Sequence, residues 1–379
     1  MEKKTNSSYC TFIEKGIFVS HRGTGFCCVS GWRQKDVLPS EFWHGNVRKD
    51  EMSKMEAQEK VRGCDTCYIS EKNRVPSNRI RANSYLNLET KKNPTIIDLD
   101  LSNFCNLKCV MCDSSRSSQW AKHEGRGVSS VDRLVIDDVL KISGSVELLT
   151  LQGGEPSLMR EYEYYFDGLD DMGVIGNVDL QVITNATNIN TRFYSLLKKF
   201  KSVRLSVSVD AYGSANDYVR WPSKFSQITK NVKKIAELEG NISVDILNTI
   251  NMLSMFNYGH FLQWAKDMES HYQTKGKVFK VVPMKIHNPE EYSPFNAPTP
   301  LKEKFVNDVE NFMKNVHTFP NSSNWKTEMM LISKLLYRTT PKKAVLDRLM
   351  STIHELNSQR NITNISDFLP NFEYYFKKT

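Results

Sequence analysis

Asn103-Phe104-Cys105-Asn106-Leu107-Lys108-Cys109-Val110-Met111-Cys112-Asp113 is the stretch around which the rest of the 379-residue chain is read. Three residues separate Cys105 from Cys109, and two separate Cys109 from Cys112. Three thiolates so spaced can wrap one corner of an iron–sulfur cube. A [4Fe–4S] cube normally takes four thiolates, so three leave one iron open to another ligand. The alternatives are a zinc site or three free thiols. Zinc knuckles use paired cysteines with a fourth ligand. The preceding run, Thr95-Ile96-Ile97-Asp98-Leu99-Asp100-Leu101, alternates as a short strand does. A helix-compatible stretch begins near Ser114. A parallel α/β barrel places its chemistry at such strand-to-helix loops.

Outward from that loop, strand and helix signals alternate. Strands are expected at Val146–Leu151, Val178–Thr184, Val203–Asp210, Ile242–Leu247 and Lys277–Pro283. Helices are expected at Arg160–Met172, Thr191–Phe200, Phe225–Leu238 and Tyr258–Met268. The Phe225 helix carries Phe225, Ile228, Val232 and Ile235 at helical spacing. With Thr95–Leu101 this makes six strands. Such alternation predicts a parallel sheet with right-handed crossovers. The fold class is α/β, a partial (β/α)6 barrel. A small cysteine-rich β-hairpin module precedes it and a helical region follows. Glu89-Thr90-Lys91-Lys92-Asn93-Pro94 is a polar stretch ending in a breaker and marks a boundary. The expected division is 1–93, 94–290 and 291–379. In the last part, Glu303–Val316 and Lys343–Leu356 read as helices, and Ile365–Phe376 is an aromatic-rich packing segment.

Gln152-Gly153-Gly154-Glu155-Pro156 follows the second strand of the six. Glycines let a backbone approach a ligand closely. A glutamate accepts strong, charge-assisted hydrogen bonds from an amine. Alone this is a weak turn motif. About forty residues beyond the cysteine triplet, at a strand end, it gains weight. Thr184-Asn185 ends the third strand. Ser208 and Asp210 end the fourth, with Asp217-Tyr218-Val219-Arg220 after them.

Together these segments resemble the radical S-adenosylmethionine (radical SAM) superfamily, over roughly Tyr9–Pro283. The resemblance implies that Cys105, Cys109 and Cys112 hold a [4Fe–4S] cluster whose open iron is chelated by SAM. It implies that Gly153, Gly154 and Glu155 cradle the methionine amino group. It implies that Ser208 and Arg220 meet the SAM carboxylate, Arg220 by its planar fork. Thr184 and Asn185 would lie near the ribose or methionine. For each of these polar residues a helix cap or turn role is the competing reading.

Five of the eight cysteines precede the boundary: Cys10, Cys27, Cys28, Cys64 and Cys67. Tyr9–Ser30 reads as two short strands around the turn signal Arg22-Gly23-Thr24-Gly25. This resembles a twitch domain, the half-SPASM module that carries an auxiliary [4Fe–4S] cluster. By that resemblance Cys10, Cys27, Cys64 and Cys67 are the ligands, with Cys27 preferred to Cys28. Here the module precedes the barrel, whereas in better-known members it follows. A structural zinc site suits the same four cysteines. His21 and His44 are read as surface residues.

The chain is 40% hydrophobic and 25% charged, with a formal charge of +8. No apolar run approaches the roughly 20 residues of a membrane span. Met1–Ser8 lacks the apolar core of a secretory signal. The expectation is a cytoplasmic, cofactor-binding enzyme, in keeping with cysteines used for metal rather than disulfides. The resemblance implies reductive cleavage of SAM and hydrogen abstraction from substrate, most readily a peptide or protein side chain. The alternatives are dehydrogenation or rearrangement of a small molecule or nucleotide, and modification of a nucleic-acid base. No motif of single-strand binders supports the last. The non-enzyme alternative is an iron–sulfur electron carrier. A reducing partner such as flavodoxin or ferredoxin is implied.

Overall fold

The computed structural model describes residues 9–73, 76–85, 88–189, 191–286, 288–315 and 325–376. Val316, and the leading segment Met1–Ser8, lie outside them. Eight strands belong to one mostly parallel sheet: β1 (Gly16–Ser20), β2 (Gly23–Gly25), β3 (Ile96–Asp100), β4 (Leu148–Leu151), β5 (Asp179–Thr184), β6 (Ser202–Ser208), β7 (Ile242–Ile250) and β8 (Phe279–Lys285). The chain packs as two compact units. One comprises residues 1–105, 114–183 and 190–203; the other comprises 106–113, 184–189 and 204–379.

In the first unit β2 pairs antiparallel with β1, and β1 lies parallel to β3, Gly16 opposite Ile96 through Ser20 opposite Asp100. β3 runs parallel to β4, and β4 to β5. The N-terminal hairpin therefore extends the main sheet. Every residue of β1 and of β3 is buried. Strands covered on both faces read as near-continuous apolar runs. Asp98 and Asp100 break that rule in β3 and need partners. A short helix, Thr11–Lys15, leads into β1. The chain reverses at His21-Arg22, so Gly23-Thr24-Gly25 is strand rather than turn.

In the second unit β7 and β8 are parallel in register from Val244–Phe279 to Ile250–Lys285. β7 alternates buried and half-buried residues over its whole length. Its flanking helix, Phe225–Ile235, buries Phe225, Ile228, Val232 and Ile235, the expected stripe. Helices Thr299–Asn315 and Lys343–Arg360 stand where helical spacing placed them, and Trp325–Tyr337 is a further one. No helix among the described residues is long and apolar enough to cross a membrane.

Candidate functional site

In the first unit the loop after β4 is pressed against the segment that leads into Cys105. Gly154 N–H donates to Ser102 O (2.9 Å), and Glu155 N–H donates to Phe104 O (2.8 Å). A Cβ on Gly154 would stand 2.0 Å from Phe104 O, a backbone atom that cannot give way. Gly153 has φ +113°, and a Cβ there would meet Asp100 Oδ1 at 2.5 Å. Both glycines are therefore required by close backbone approach. The Glu155 side chain is 1% exposed, and its Oε1 accepts from Ser157 N–H (3.2 Å) and Oγ–H (2.6 Å). Cys105 is held by Ser118, whose hydroxyl accepts from Cys105 N–H (3.1 Å) and donates to Cys105 O (3.0 Å).

The two buried acids of β3 are answered from both sides. Asp98 accepts from Gln152 Nε2 (2.6 Å), the residue before Gly153. Burial lifts Asp98 to about 6, against the hydrogen bonds from Gln152 and Cys28. Asp100 takes Arg22 Nη2 at 2.9 Å. His21, expected on the surface, is not there: its side chain is 2% exposed. Its Nδ1 lies 2.9 Å from Ser129 Oγ and its Nε2 3.1 Å from Ser115 O. Burial lowers its pKa, with Asp100 opposing. The parallel docking of β1 on β3 carries His21 inward. His44 is exposed as expected.

The N-terminal thiols also lie in this unit. Cys64 rises to about 12 through burial and then the charges of Cys27, Cys10 and Cys67. Cys27 rises to about 12 through burial and then Cys10. Cys10 rises to about 11, mainly through burial, with Cys67 adding to it. Cys64 thus stands within electrostatic reach of Cys27, Cys10 and Cys67, and Cys10 of Cys27 and Cys67. Cys28 turns elsewhere: burial and then Asp98 raise it, and it hydrogen-bonds Asp98. All eight cysteines are free thiols.

In the second unit, Lys108 N–H donates to Trp221 O (2.6 Å) and Val110 N–H to Val219 O (2.9 Å). The segment carrying Cys109 and Cys112 is thereby laced to the stretch ending at Arg220. Arg220 Nε sits 2.8 Å from Asp210 Oδ2, an ion pair whose N–H is not aligned on that oxygen. Burial opposes the Arg220 charge; Asp210, Cys109 and Cys112 outweigh it and raise its pKa. Asp210 Oδ1 accepts from Thr249 N–H (3.0 Å). Ser208 is half-buried at the end of β6. Thr184 Oγ1 accepts from Ala186 N–H (3.1 Å). Asn185 Nδ2 donates to Asn106 Oδ1 (2.9 Å), and its Oδ1 accepts from Thr187. Asn185 therefore braces the residue after Cys105, a contact with no sequence signal.

As the side chains stand, no three or more His, Cys, Asp or Glu among the described residues are placed to hold a metal ion. The fit to an iron–sulfur group rests on donor chemistry. Thiols pushed by desolvation towards 11 or 12 stay neutral unless a metal takes the thiolate charge. Arg220 supplies a buried cation beside Cys109 and Cys112.

Comparison with known proteins falls on the same segment. The family model of the radical SAM superfamily matches residues 99–268. Residues 99–268 form a radical SAM domain. The Bacillus subtilis (strain 168) sporulation killing factor maturation protein SkfB is 26% identical over 162 residues. That alignment covers 42% of this chain and 36% of SkfB, so the chain matches about a third of that relative's length. Streptococcus suis SuiB bound to S-adenosylmethionine is similar at 14% identity and TM-score 0.41, covering 71% of this chain and 58% of that one. Native anSMEcpe with bound AdoMet is similar at 17% identity and TM-score 0.39, covering 57% and 60%. The matched residues include Cys105, Cys109, Cys112, Gly153, Gly154, Glu155, Ser208 and Arg220. They exclude the N-terminal cysteines and everything after residue 268.

Proposed function

We propose that this chain is a radical SAM enzyme that modifies a peptide or protein side chain. The observation that carries the reading is the Gly153-Gly154-Glu155 backbone locked onto Ser102 and Phe104, directly before Cys105. An electron carrier needs no such cradle. Cys105, Cys109 and Cys112 would hold the SAM-binding [4Fe–4S] cluster. When bound, the cluster and SAM supply an electron and a 5′-deoxyadenosyl radical able to take a hydrogen atom from an unactivated carbon.

The protein's own part is binding, orientation and exclusion of water. Glu155, buried and fixed by Ser157, presents a carboxylate to an amine. Arg220, ion-paired with Asp210, presents its guanidinium to a carboxylate, with Ser208 at the end of the strand that leads to Asp210. Thr184 and Asn185 shape the turn beside Asn106. Cys10, Cys27, Cys64 and Cys67 are the proposed ligands of an auxiliary [4Fe–4S] cluster, with Cys28 outside the set because it faces Asp98. The functional segments follow the division 1–93, 94–290 and 291–379, with a partial (β/α)6 barrel in the middle. SkfB, named for the maturation of a killing factor, supports a peptide substrate. A flavodoxin or ferredoxin is the proposed reductant.

The test is anaerobic incubation of the reconstituted chain with SAM and dithionite. The expected product is 5′-deoxyadenosine. Replacing Cys105, Cys109 and Cys112 by alanine should abolish it and remove about four irons per chain, the content of one cube. Full iron loading with no cleavage of SAM sinks the proposal.

A further inference from the structure

Arg360 ends the helix Lys343–Arg360, far beyond the radical SAM domain. It is only 8% exposed. Its Nη1 donates to Tyr218 O (2.8 Å) and its Nη2 to Lys108 O (3.1 Å). The guanidinium lies 5.0 Å from the ring centre of Tyr218 and 5.4 Å from that of Trp221. Tyr218 is tied to the same helix, its hydroxyl donating to Asn357 Oδ1 (2.8 Å). Lys108 is thus held at both backbone groups, by Trp221 O on its N–H and by Arg360 on its carbonyl.

A structural clasp explains the two hydrogen bonds but not the charge. A neutral amide donates to carbonyls too. Among the described residues Arg360 pairs with no carboxylate, and its buried Nε has no hydrogen-bond partner. A buried cation without an anion is costly. Aromatic faces offset part of that cost. Arg360 lies within electrostatic reach of Cys109, which favours its charge against the burial that lowers its pKa.

We propose that Arg360 is the fixed counter-charge of the cysteine loop. It stabilises the reduced, more negative state of the cluster and holds the Lys108 turn between Cys105 and Cys109. This rests on the reading that Cys105, Cys109 and Cys112 carry a SAM-binding cluster. The chemical ground is that net charge around an iron–sulfur cluster sets its potential. Arg360 is a positioning residue supplied by the C-terminal helices.

The experiment compares the reconstituted full chain with its Arg360→Met and Arg360→Lys variants. Iron and sulfide are counted, SAM affinity is measured, and the SAM-responsive cluster signal is followed by EPR at stepped potentials. In Arg360→Met the reduced-to-oxidised ratio at a fixed poise should fall on the order of tenfold, about 59 mV for one electron. Arg360→Lys, which keeps the charge, should stay close to wild type. A folded Arg360→Met variant with the wild-type potential overturns the proposal. So does one whose SAM affinity falls while its potential stays, or an Arg360→Lys shift as large as that of Arg360→Met. If Arg360→Met does not fold, Arg360→Lys decides: a wild-type potential supports the assignment and a lowered one overturns it. A wild-type chain with no SAM-responsive cluster overturns the functional reading and this assignment together.

Discussion

Asp98 shows what a single residue carries in this protein. Its carboxyl is buried, accepts from Gln152, and keeps its proton up to about 6 because burial disfavours the anion. An unfolded chain releases that proton near 4. Between pH 4 and pH 6 the native state therefore binds more protons, and stability falls as pH rises. Below about pH 4 both states are protonated and there is no penalty; above about pH 6 it is complete, at most about 3 kcal/mol. Asp98→Asn keeps an acceptor for Gln152 and cannot ionise. It should be more stable than wild type at pH 7 and equal to it at pH 4, by urea unfolding of the metal-free chain. Equal stability at both pH values would show that Asp98 is not carrying the cost. None of this was legible in Ile96-Ile97-Asp98-Leu99-Asp100, which reads only as a short strand with alternating apolar positions. The partners, Gln152 and Arg22, come from distant segments. The cysteine triplet and Gly153-Gly154-Glu155 were legible because each is local, with the glycines' reason visible only once Phe104 stands against them.

Strand and helix types followed from local periodicity, but their docking did not. β5, β6 and the helix Arg160–Asp171 sit within one or two residues of their expected bounds. The parallel seating of β1 on β3 and the helix Trp325–Tyr337 were missed. A five-residue strand with a glycine carries no mark of which neighbour it will pair with. The joint between elements is clearest at Tyr162, fully buried on the helix Arg160–Asp171. Its hydroxyl accepts from Leu101 N–H (3.2 Å) and lies 2.7 Å from Gln152 O and 3.1 Å from Leu99 O. It joins the segment after β3 to the segment after β4, directly before the cradle. Tyr162→Phe leaves the buried Leu101 N–H without that acceptor. An unsatisfied buried donor costs about 1–3 kcal/mol. Urea unfolding should show a loss of that size with an unchanged m-value. An unaltered midpoint would mean that water or another group takes the place of the hydroxyl.

At the scale of the whole molecule the proposed auxiliary cluster leads to a prediction of two redox centres. The N-terminal hairpin is part of the main sheet, through β1 on β3, and within the same unit the charges of Cys27, Cys10 and Cys67 add to burial in raising the Cys64 thiol. A module built into the sheet is fixed relative to β3 rather than tethered by a linker. Both zinc and an iron–sulfur cluster satisfy four cysteines. Zinc does not change oxidation state, whereas a cluster gives a substrate radical somewhere to send an electron. The chain with Cys105, Cys109 and Cys112 replaced by alanine isolates the module. After anaerobic reconstitution it should retain about four irons and four sulfides with a cluster absorbance, as one cube requires. A further Cys64→Ala and Cys67→Ala should remove them, while Cys28→Ala should not, because Cys28 faces Asp98. Tightly bound zinc without sulfide would make the module a structural knuckle. Loss of iron on Cys28→Ala, with Cys27→Ala silent, would exchange the roles of the two neighbouring cysteines.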